Sequence, residues 1–488
     1  MTSVAIAAPN TAAADAAERI VRAGGNAIDA ALAAAFVTMV NEVGLVSPSA
    51  GGFLTIQPPD GSAPVTIDGW MDMPGRDVPD RLGQGTWDVH TEYGGGVTVT
   101  VGAGSVATHG AIAAFGEAHR RWGRLPWAEL LAPAIDVARG GFRLSAASRY
   151  YLEYVHETIF GWDEASHAAV HDQHGGVAGH DIVVPHLADS LQRIARHGPQ
   201  ELYTGELGHA VADDVLARGG ILGPTDLAAY EPVVRPALTA RMEGWTLGTN
   251  PPPAIGGVSV AAMLRLMAGH GLDDTEHLIR VQRRVLGERL RVFDHTDDLE
   301  RDAAAFLELV DRDGLAALES GSTAHVSTAD AQGTACAVTI SSGYSSGMIA
   351  RETGIWLNNC LGEQELNPRG LHGLPFGSRL LSNMAPTVGR HADGGVLAIG
   401  SPGADRITTA IVQALTGLVE DGLGLQEAID HPRIHVHRAA TPDEEVKVED
   451  PDDLTMYFGG VSGTLVTAEG ALVAAADPRR DGAVRIVS

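Results

Sequence analysis

A threonine placed before two short apolar runs constrains the fold of this 488-residue chain more than any other feature. The runs are Val326 to Ala329 and Ala335 to Ile340, and Ala331-Gln332-Gly333 between them has the composition of a hairpin turn. The pattern predicts a buried β-hairpin that begins just after Thr323. Taken alone, a threonine at a strand start most often caps a turn, so the pattern by itself does not indicate catalysis.

Four motifs, the first of them at this threonine, change that interpretation. They are Thr323-Ala324-His325-Val326-Ser327, Gly354-Ile355-Trp356-Leu357-Asn358-Asn359, Met384-Ala385-Pro386-Thr387 and Gly400-Ser401-Pro402-Gly403. In order and rough spacing they resemble the gamma-glutamyltransferase family of N-terminal-nucleophile hydrolases. The combination is far more specific than any one motif, and further segments extend the resemblance over nearly the whole chain.

The resemblance implies an α+β fold of a particular kind. It is a four-layer αββα sandwich, in which two stacked, largely antiparallel sheets lie between helical layers. The resemblance also implies a single domain over residues 1–488 that cleaves its own backbone between Ser322 and Thr323. The products would be chains 1–322 and 323–488, which stay together as a heterodimer of the protein's own fragments.

In the family the new N-terminal threonine is the nucleophile and its own α-amine is the base. A threonine hydroxyl is a weak nucleophile without an adjacent base, and an α-amine with an ordinary pKa of about 8 accepts its proton at neutral pH. Carried onto this sequence, Thr323 fills both roles and Ser341 supports its amine. The N–H groups of Gly403 and Ala404 would form the oxyanion hole. This set needs no metal and no organic cofactor, so none is expected.

The positions that hold the substrate depart from the family pattern. An asparagine, a glutamine and an aspartate of the family correspond here to Gly343, Cys360 and Glu363, and a serine pair corresponds to Ser382-Asn383. Glu363 keeps a carboxylate that would hold an amine of the substrate. The loop that follows it, up to Leu381, is shorter than the family's lid.

The largest departure is at Trp70. In the family an arginine just after the strand that corresponds to Val65 to Asp68 grips the α-carboxylate of the substrate, and Trp70 stands in that place. An arginine fork binds a carboxylate through two parallel hydrogen bonds, which an indole cannot form. Arg76 or Arg379 would compensate only if the fold brought one of them to the site.

These residues predict a self-processing hydrolase or acyltransferase. Its small-molecule substrate would carry an amine without being an ordinary gamma-glutamyl amide. Three alternatives stay open: cleavage of a C–C bond or an acyl group in an antibiotic pathway, conventional gamma-glutamyl hydrolysis or transpeptidation, and a non-catalytic binding protein on this fold. Joint retention of the nucleophile, the hydroxyl beside it and Glu363 argues against the last.

The charge of the chain limits its partners. With 34 Lys and Arg against 61 Asp and Glu, the formal net charge is −27, which repels nucleic-acid phosphates and anionic membranes. Neither is therefore expected as a partner. Two cysteines, Cys336 and Cys360, provide no disulfide framework, and the N-terminal residues lack the basic and apolar regions of a signal peptide. A cytoplasmic location is predicted.

Histidines are concentrated between residues 156 and 186. His167 and His171 are four residues apart, a spacing that brings two metal ligands to one face of a helix. The sequence lacks an accompanying acid–base residue and continues into Gly175-Gly176, so a solvated loop is predicted here instead of a metal site.

Overall fold

The computed structural model describes residues 2–93, 96–179, 181–293, 296–313, 323–403, 406–438 and 444–488. The strands, in chain order, are β1 Val4–Ala8, β2 Gly51–Gln57, β3 Val65–Gly69, β4 Trp87–Thr91, β5 Val97–Val101, β6 Val233–Pro236, β7 Leu238–Met242, β8 Trp245–Thr249, β9 Ala324–Asp330, β10 Ala335–Ser341, β11 Ile349–Ala350, β12 Ile355–Trp356, β13 Thr387–His391, β14 Val396–Gly400, β15 Ile434–Arg438, β16 Glu444–Val448, β17 Ser462–Val466, β18 Leu472–Ala476 and β19 Ala483–Val487. The helices are α1 Thr11–Arg22, α2 Ala27–Asn41, α3 Ala111–Trp122, α4 Trp127–Gly140, α5 Ala146–Val155, α6 Glu164–Val170, α7 Leu187–His197, α8 Glu206–Ala217, α9 Pro224–Ala228, α10 Ile255–Met267, α11 Thr275–Glu288, α12 Leu299–Asp313, α13 Arg406–Val419 and α14 Leu425–Asp430.

Two large antiparallel sheets organise these elements. The first has seven strands in the order β19-β1-β9-β10-β2-β3-β6, and the second has six in the order β18-β17-β14-β13-β8-β7. Neighbouring strands in both sheets run antiparallel. The strands β9 and β10 lie between β1 and β2. Strands from the two sides of the predicted cleavage point therefore lie side by side within one sheet.

Helices rich in small residues cover the outer faces of the sheets. Every residue of α2 is buried, because alanines along most of its surface allow close packing against β9 and β10. On the second sheet, α10 and α13 share an apolar core that includes Val258 and Ile411. Ala337, Val388 and Ala398 pack together in a small cluster between the two sheets. The layers are thus helix, sheet, sheet and helix, and the predicted αββα sandwich is confirmed.

The predicted hairpin is formed by β9 and β10. Its turn is held by Asp330, whose carboxylate accepts the N–H groups of Gln332 at 3.0 Å and Thr334 at 3.1 Å. Gly333 has a φ of +87°, a left-handed conformation that glycine adopts without steric cost. Every residue of both strands is buried, as expected for strands covered on both faces.

One prediction about local structure is wrong in part. The histidine-rich stretch includes a helix, α6, whose first turn is capped by Asp163 through a 2.7 Å hydrogen bond from the Ser166 N–H. The capping carboxylate stabilises the start of this helix. The glycines that follow it in the sequence favoured the prediction of a loop. The imidazoles of His167 and His171 stack with centroids 3.8 Å apart.

Within the described ranges, no helix combines the length and the apolar composition needed to cross a bilayer.

Candidate active site

Thr323 and Ser341 lie side by side at one end of the seven-stranded sheet. The register pairs His325 with Thr339. Continued by two residues along each strand, the same register places Thr323 opposite Ser341. Side chains alternate along a strand, so both hydroxyls project from the face that carries the imidazole of His325. Directly opposed antiparallel residues have Cβ atoms about 4.5–5.5 Å apart. The structure therefore brings together the predicted nucleophile and the predicted partner of its amine.

Both hydroxyl-bearing residues are shielded from bulk water. Thr323 is 3% exposed and Ser341 is 1% exposed. The Oγ of Ser341 accepts the N–H of Gly343 at 3.0 Å, which fixes the serine at the point where the chain leaves the strand. An electrostatic interaction in such a shielded place is stronger than the same interaction in water.

A buried hydrogen-bonded chain runs through His325. Its Nδ1 is 2.7 Å from Thr339 Oγ1 and its Nε2 is 2.8 Å from Ser327 Oγ. The Ser327 hydroxyl donates its hydrogen to the carbonyl of Ser462 at 3.2 Å, so it must accept from the imidazole. The proton therefore resides on Nε2, and Nδ1 accepts from Thr339.

This imidazole is not suited to act as the base. Burial lowers the pKa of His325 to about 3, so the ring is neutral at physiological pH. Both of its nitrogens already have partners on the flanking strands. The α-amine that cleavage would free on Thr323 remains the base that best matches neutral pH.

His325 also packs against the loop that is predicted to hold the oxyanion. A Cβ on Gly400 would lie 2.3–2.7 Å from three atoms of the imidazole ring, so only glycine leaves room for the ring. Gly403, at the end of that loop, has a φ of +123°, and a Cβ there would be 2.7 Å from the Cα of Gly459. The loop is therefore positioned by close backbone and ring contacts that require glycine. Two predicted residues, Ser322 and Ala404, lie outside the described residues.

Gly343, Asn359 and Glu363 meet just beyond Ser341. A Cβ on Gly343, which has a φ of +68°, would be 2.4 Å from Asn359 Oδ1 and 2.9 Å from Glu363 Oε1. Glycine at this position lets the backbone approach a buried carboxylate that a larger residue would displace. Glu363 is 1% exposed, so the predicted amine-holding group lies in a shielded environment near the predicted nucleophile.

Trp70 and Cys360 belong to a separate apolar cluster. The indole of Trp70 stacks on Phe53 with ring centroids 6.1 Å apart, and its Nε1–H donates to the carbonyl of Leu381 at 2.8 Å. Burial, and secondly the nearby carboxylate of Glu363, raise the pKa of the Cys360 thiol well above its ordinary value. The thiol therefore stays protonated, and it hydrogen-bonds the Glu363 carboxylate. We call this cluster the apolar wall; its buried members are Phe53, Trp70, Met71, Met73, Ala107, Ile221, Ala254, Cys360, Leu361, Leu366, Leu380 and Met384.

The predicted pair Ser382-Asn383 follows directly on the segment that contacts the indole. The carbonyl of Ser382 accepts the N–H of Gly256 at 3.1 Å. A Cβ on Gly256 would be 1.9 Å from the carbonyl oxygen of Asn383, so glycine at the start of α10 permits this approach. Both residues are buried, at 1% and 6% exposure. The pair lies beside the apolar wall, and its predicted contact with the substrate stays a prediction.

Neither arginine considered as a replacement for the missing clamp is available. Arg379 places Nε 3.3 Å from Asp68 Oδ1 and Nη1 3.0 Å from Asp72 Oδ1. Arg76 places Nη1 3.0 Å from Asp226 Oδ1. An arginine that is engaged by buried carboxylates keeps its charge in those pairs and would leave a carboxylate uncompensated if it moved.

Arg379 instead supports the backbone of Trp70. Its Nη1 donates to the carbonyl of Trp70 at 2.8 Å and to the hydroxyl of Tyr230 at 2.7 Å. The same carbonyl accepts the Tyr230 hydroxyl at 2.6 Å. The guanidinium therefore binds the backbone behind the indole and reinforces the apolar wall.

Asn358 has a structural role that the sequence analysis missed. Its Nδ2 donates to the carbonyl of Ala107 at 3.0 Å and to the Oγ of Ser49 at 3.0 Å, and its Oδ1 accepts the N–H of Cys360 at 3.2 Å. This amide holds the turn that carries Cys360 and Glu363. Two consecutive asparagines after a β-branched and aromatic run were the available signal, because such amides commonly bond to nearby backbone.

The site contains no converging metal ligands among the described residues. In those ranges, the histidine and carboxylate atoms that lie close enough together to hold a metal ion belong to His270, Asp274 and His277, near the start of α11. The predicted catalytic groups at Thr323 are hydroxyls and backbone N–H groups, which are poor ligands for transition metals.

Comparison with known proteins assigns the family. Residues 13–487 match the family model described as gamma-glutamyltranspeptidase. The glutathione hydrolase proenzyme of Escherichia coli K12 is 27% identical over 518 aligned positions, which cover 94% of this chain and 87% of that protein. The acylase ACY 1 proenzyme of Pseudomonas sp. strain V22 is 29% identical over 511 positions, covering 95% and 90%.

A solved structure supports the fold independently. Cephalosporin acylase from Bacillus halodurans superposes with a TM-score of 0.80 at 22% identity, covering 99% of this chain and 96% of that one. The family match and the two curated relatives carry the activity class, since the structural likeness at this identity shows the fold alone. The chain belongs to the gamma-glutamyltranspeptidase family of N-terminal-nucleophile hydrolases and is a hydrolase or acyltransferase.

Proposed function

We propose that the protein cleaves itself before Thr323 and then acts as an amide hydrolase or acyltransferase on an amine-bearing substrate with an apolar acyl part. The chains 1–322 and 323–488 would remain one interwoven domain, because β9 and β10 lie between strands of the larger fragment. Two relatives are named as proenzymes, which supports self-cleavage. The apolar wall at Trp70 is the observation that carries the substrate class.

Self-cleavage would proceed by an acyl shift. The Oγ of Thr323 attacks the carbonyl carbon of Ser322, and the C–N bond breaks as the nitrogen takes up the proton lost by the hydroxyl. Water then hydrolyses the resulting ester, which leaves a carboxylate on Ser322 and frees both the hydroxyl and the α-amine of Thr323. The two steps together therefore produce the nucleophile and its base in one residue.

Turnover would repeat the same chemistry on the substrate. The freed amine accepts the hydroxyl proton as Oγ attacks the acyl carbonyl, and the N–H of Gly403 stabilises the oxyanion. The amine then donates that proton to the leaving nitrogen, which departs. Water or a second amine attacks the acyl ester, so the product is either a free acid or a transferred acyl group.

The apolar wall selects against a gamma-glutamyl group. A free α-carboxylate facing Trp70 and Cys360 would lose its hydration without gaining a cation, which is costly in a buried site. A hydrocarbon or aromatic acyl group would gain from the same surface, by roughly 25 cal/mol for each Å² that it buries. Glu363 lies close to Gly343 at the edge of this region, where it would pair with an amine of the substrate.

The relatives are divided between the two substrate classes. One is named an acylase, and another is named a glutathione hydrolase. Between the two classes, the substitution of tryptophan for the clamp arginine favours the acylase. A C–C-cleaving enzyme of an antibiotic pathway would use the same nucleophile but would hydrolyse no simple amide.

The test of the processing step is intact-mass analysis of purified protein. We expect two fragments whose masses sum to the 50.8 kDa chain plus one water, with Thr323 as the first residue of the smaller one. A single uncut chain that retains threonine-dependent turnover would contradict the proposal.

The test of the substrate class is kcat/KM on a matched panel of anilides. The panel pairs a gamma-glutamyl anilide with aminoacyl and arylacetyl anilides of similar size. We expect the apolar amine-bearing compounds to exceed the gamma-glutamyl compound by about tenfold or more, since a lost charged hydrogen bond costs roughly 1.5–3 kcal/mol. Equal or higher efficiency on the gamma-glutamyl anilide would reject this class, and no turnover of any anilide would favour C–C cleavage.

A further inference from the structure

A small cavity adjoins the start of the nucleophile strand. It has a volume of about 20 Å³, and its lining includes Ala324, His325 and Pro402. Ala324 follows Thr323 directly in the chain, and Pro402 belongs to the loop that is predicted to hold the oxyanion. The cavity therefore lies next to the predicted nucleophile and next to the predicted oxyanion loop.

Two side chains of opposite charge also line this cavity, Glu42 and Arg480. Glu42 follows α2 and is 2% exposed, whereas Arg480 lies in the turn between β18 and β19. The Nε of Arg480 is buried and has no hydrogen-bond partner among the described residues. The two charges attract each other. Since Glu42 precedes the predicted cleavage point and Arg480 follows it, this attraction links the two predicted fragments.

Hydrogen bonds hold the carboxylate of Glu42 in place. It accepts from Nδ2 of Asn10 at 2.8 Å and from the hydroxyls of Ser145 at 2.6 Å and Ser148 at 3.3 Å. Burial raises the pKa of Glu42, and these donors and the positive charge of Arg480 oppose that effect. The guanidinium therefore helps to keep the buried carboxylate ionised.

The cavity has the size and the lining of a water site. A space of about 10–15 Å³ is enough for one water molecule when the lining supplies two to four polar partners. The Nε–H of Arg480 can only donate and the carboxylate of Glu42 accepts, so a water between them would be bonded on both sides. Such a water transmits the interaction between two groups that are not in direct contact.

A charge beside the α-amine of Thr323 changes the proton affinity of that amine. A nearby cation lowers the amine pKa, and a nearby anion raises it. Thr323 is 3% exposed, so solvent screens such charges less than it does at the surface. The charged pair at the cavity is separated from Thr323 by little more than Ala324, so it is placed to act on the amine.

The other titratable groups in this part of the structure are neutral, engaged or screened. Burial lowers the pKa of His325 and keeps its ring neutral. Asp477 is engaged by two arginines at 2.7 Å and 3.1 Å. Asp481 lines the cavity but is exposed, so solvent screens its charge. Glu363 lies near Gly343, where the proposed function pairs it with the substrate.

We propose that the cavity binds one water molecule that bridges Arg480 to Glu42, and that this bridged pair sets the proton affinity of the Thr323 α-amine. The inference rests on the proposed function, in which that amine is the base. Neither side chain would touch the substrate, so both are positioning residues that act through the amine. Removal of one charge leaves the other uncompensated, and the two removals should therefore have opposite effects.

The experiment measures the amine directly in the cleaved protein. Lys447 is the only lysine of the sequence, so an amine-reactive reagent meets only this side chain and the N-termini. Competitive labelling with acetic anhydride over a range of pH, read by peptide mass spectrometry, gives the pKa of the Thr323 amine. We expect Arg480→Met to raise that pKa by about 0.5–1 and Glu42→Gln to lower it by a similar amount. The double variant should titrate close to the wild type.

The acidic limb of the pH–rate profile provides a second readout. It should move to higher pH in Arg480→Met and to lower pH in Glu42→Gln, because the amine must be neutral to accept the hydroxyl proton. A purely structural role would reduce turnover in both variants without moving the limb in opposite directions. Arg480→Gln removes the charge but keeps a donor for the water, so it replaces Arg480→Met if that variant fails to fold.

An exposed ion pair provides the matched control. Arg485 and Asp15 also come from opposite sides of the predicted cleavage point, with Nη2 2.6 Å from Oδ1, and both are partly exposed to solvent. Because solvent screens this pair, Arg485→Met and Asp15→Asn should leave the pKa of the Thr323 amine unchanged.

The outcomes separate this inference from the proposed function. An uncut wild-type chain would overturn both, because no free amine would exist. A cut and active protein whose amine pKa is unchanged in either cavity variant, or moves in the same direction in both, would overturn this inference alone. A high-resolution crystal structure should show a water between Arg480 Nε and the Glu42 carboxylate, and direct contact between the two side chains would reject the bridge.

Discussion

The nucleophile end of the site and the apolar wall adjoin at Gly51, which pairs with Ser341 and contacts the indole of Trp70, yet they are built from different groups. Around Thr323 are hydroxyls, a neutral imidazole and glycines whose backbone approaches closely. Around Trp70 are aromatic rings, methionines and a protonated thiol. The first region matches what any member of the family needs to activate a threonine. The second is the surface on which we propose that the acyl group of the substrate binds.

This difference separates two kinds of constraint. The chemistry at Thr323 depends on cross-strand register and on contacts that tolerate almost no added atom, such as the one between Gly400 and His325. The wall has only to be apolar and of the right volume, a condition that many side chains satisfy. A reaction can thus be kept while its substrate changes.

The largest effect is expected at the nucleophile. We expect Thr323→Ala to remain a single chain without turnover, because the substitution removes the group that attacks both the backbone and the substrate. Thr323→Ser keeps a hydroxyl and should still cleave. Mass spectrometry and the anilide assay measure both effects.

Thr328→Ala is the control for that experiment. Its hydroxyl lies on the other face of the same strand, where it donates to the carbonyl of Ala27 at 2.8 Å. This variant should be cleaved normally and lose only the modest stability of one hydrogen bond, about 1 kcal/mol. An uncut Thr328→Ala chain would mean that processing depends on strand integrity rather than on the attacking hydroxyl.

The next largest effect is expected at Ser341. Its Oγ accepts the Gly343 N–H, so its own hydrogen is donated elsewhere, and we expect the amine of Thr323 to receive it after cleavage. Such a bond stabilises the neutral amine and lowers its pKa. Ser341→Ala should reduce kcat by about a hundredfold and move the acidic limb of the pH–rate profile to higher pH.

The neighbouring serine distinguishes this role from a structural one. Ser342 accepts the N–H of Ser47 at 3.0 Å, so Ser342→Ala perturbs the same turn without touching the amine. It should leave the position of the acidic limb unchanged. An equal shift of the limb in both variants would show that the loop, and not the Ser341 hydroxyl, sets the pKa.

A smaller effect, confined to substrate binding, is expected at Glu363. Glu363→Gln keeps the shape and removes the charge, so kcat/KM for an amine-bearing anilide should fall by about 10–100-fold. The matched substrate without the amine should lose much less. Equal losses on both substrates would indicate that Glu363 holds the Gly343 turn instead of the substrate.

The sequence was sufficient for the parts of the fold that depend on local patterns. The hairpin and its turn follow from periodicity, and the layered architecture follows from the family motifs. All three are confirmed. The short helix α6 was not predicted, because its stabilising cap at Asp163 is a single residue within a stretch dominated by histidine and glycine.

The site was harder to predict because its character depends on contacts between distant segments. Trp70 was identified as a departure, but its neighbours Phe53 and Leu381 come from other parts of the chain. From the sequence alone Arg379 is a candidate to clamp a substrate carboxylate. In the structure it is paired with Asp68 and Asp72. No pattern in the sequence specifies which carboxylate a given arginine will meet.

The last prediction concerns the pH dependence of the free energy of unfolding. It tests His325 separately from the catalytic groups. Burial lowers the pKa of this histidine from 6.5 to about 3. Between those values the unfolded chain binds the proton and the folded chain does not. The contribution of His325 to the free energy of unfolding is therefore fully present above pH 6.5 and is lost as the pH falls. The expected loss is about 1.4 kcal/mol for each pH unit.

Urea unfolding of the uncut Thr323→Ala chain, compared at about pH 7 and about pH 5, measures this loss. Adding His325→Asn should flatten the pH dependence by about 1.4 kcal/mol per pH unit, since asparagine does not titrate. His109→Asn is the matched control. Burial also lowers the pKa of His109, to about 4, so this substitution should flatten the pH dependence of stability as well. In the otherwise wild-type protein, only His325→Asn should also reduce kcat, because His325 spaces the loop that leads from Gly400 to Gly403. A normal kcat in His325→Asn would show that the ring stabilises the sandwich without positioning the oxyanion loop.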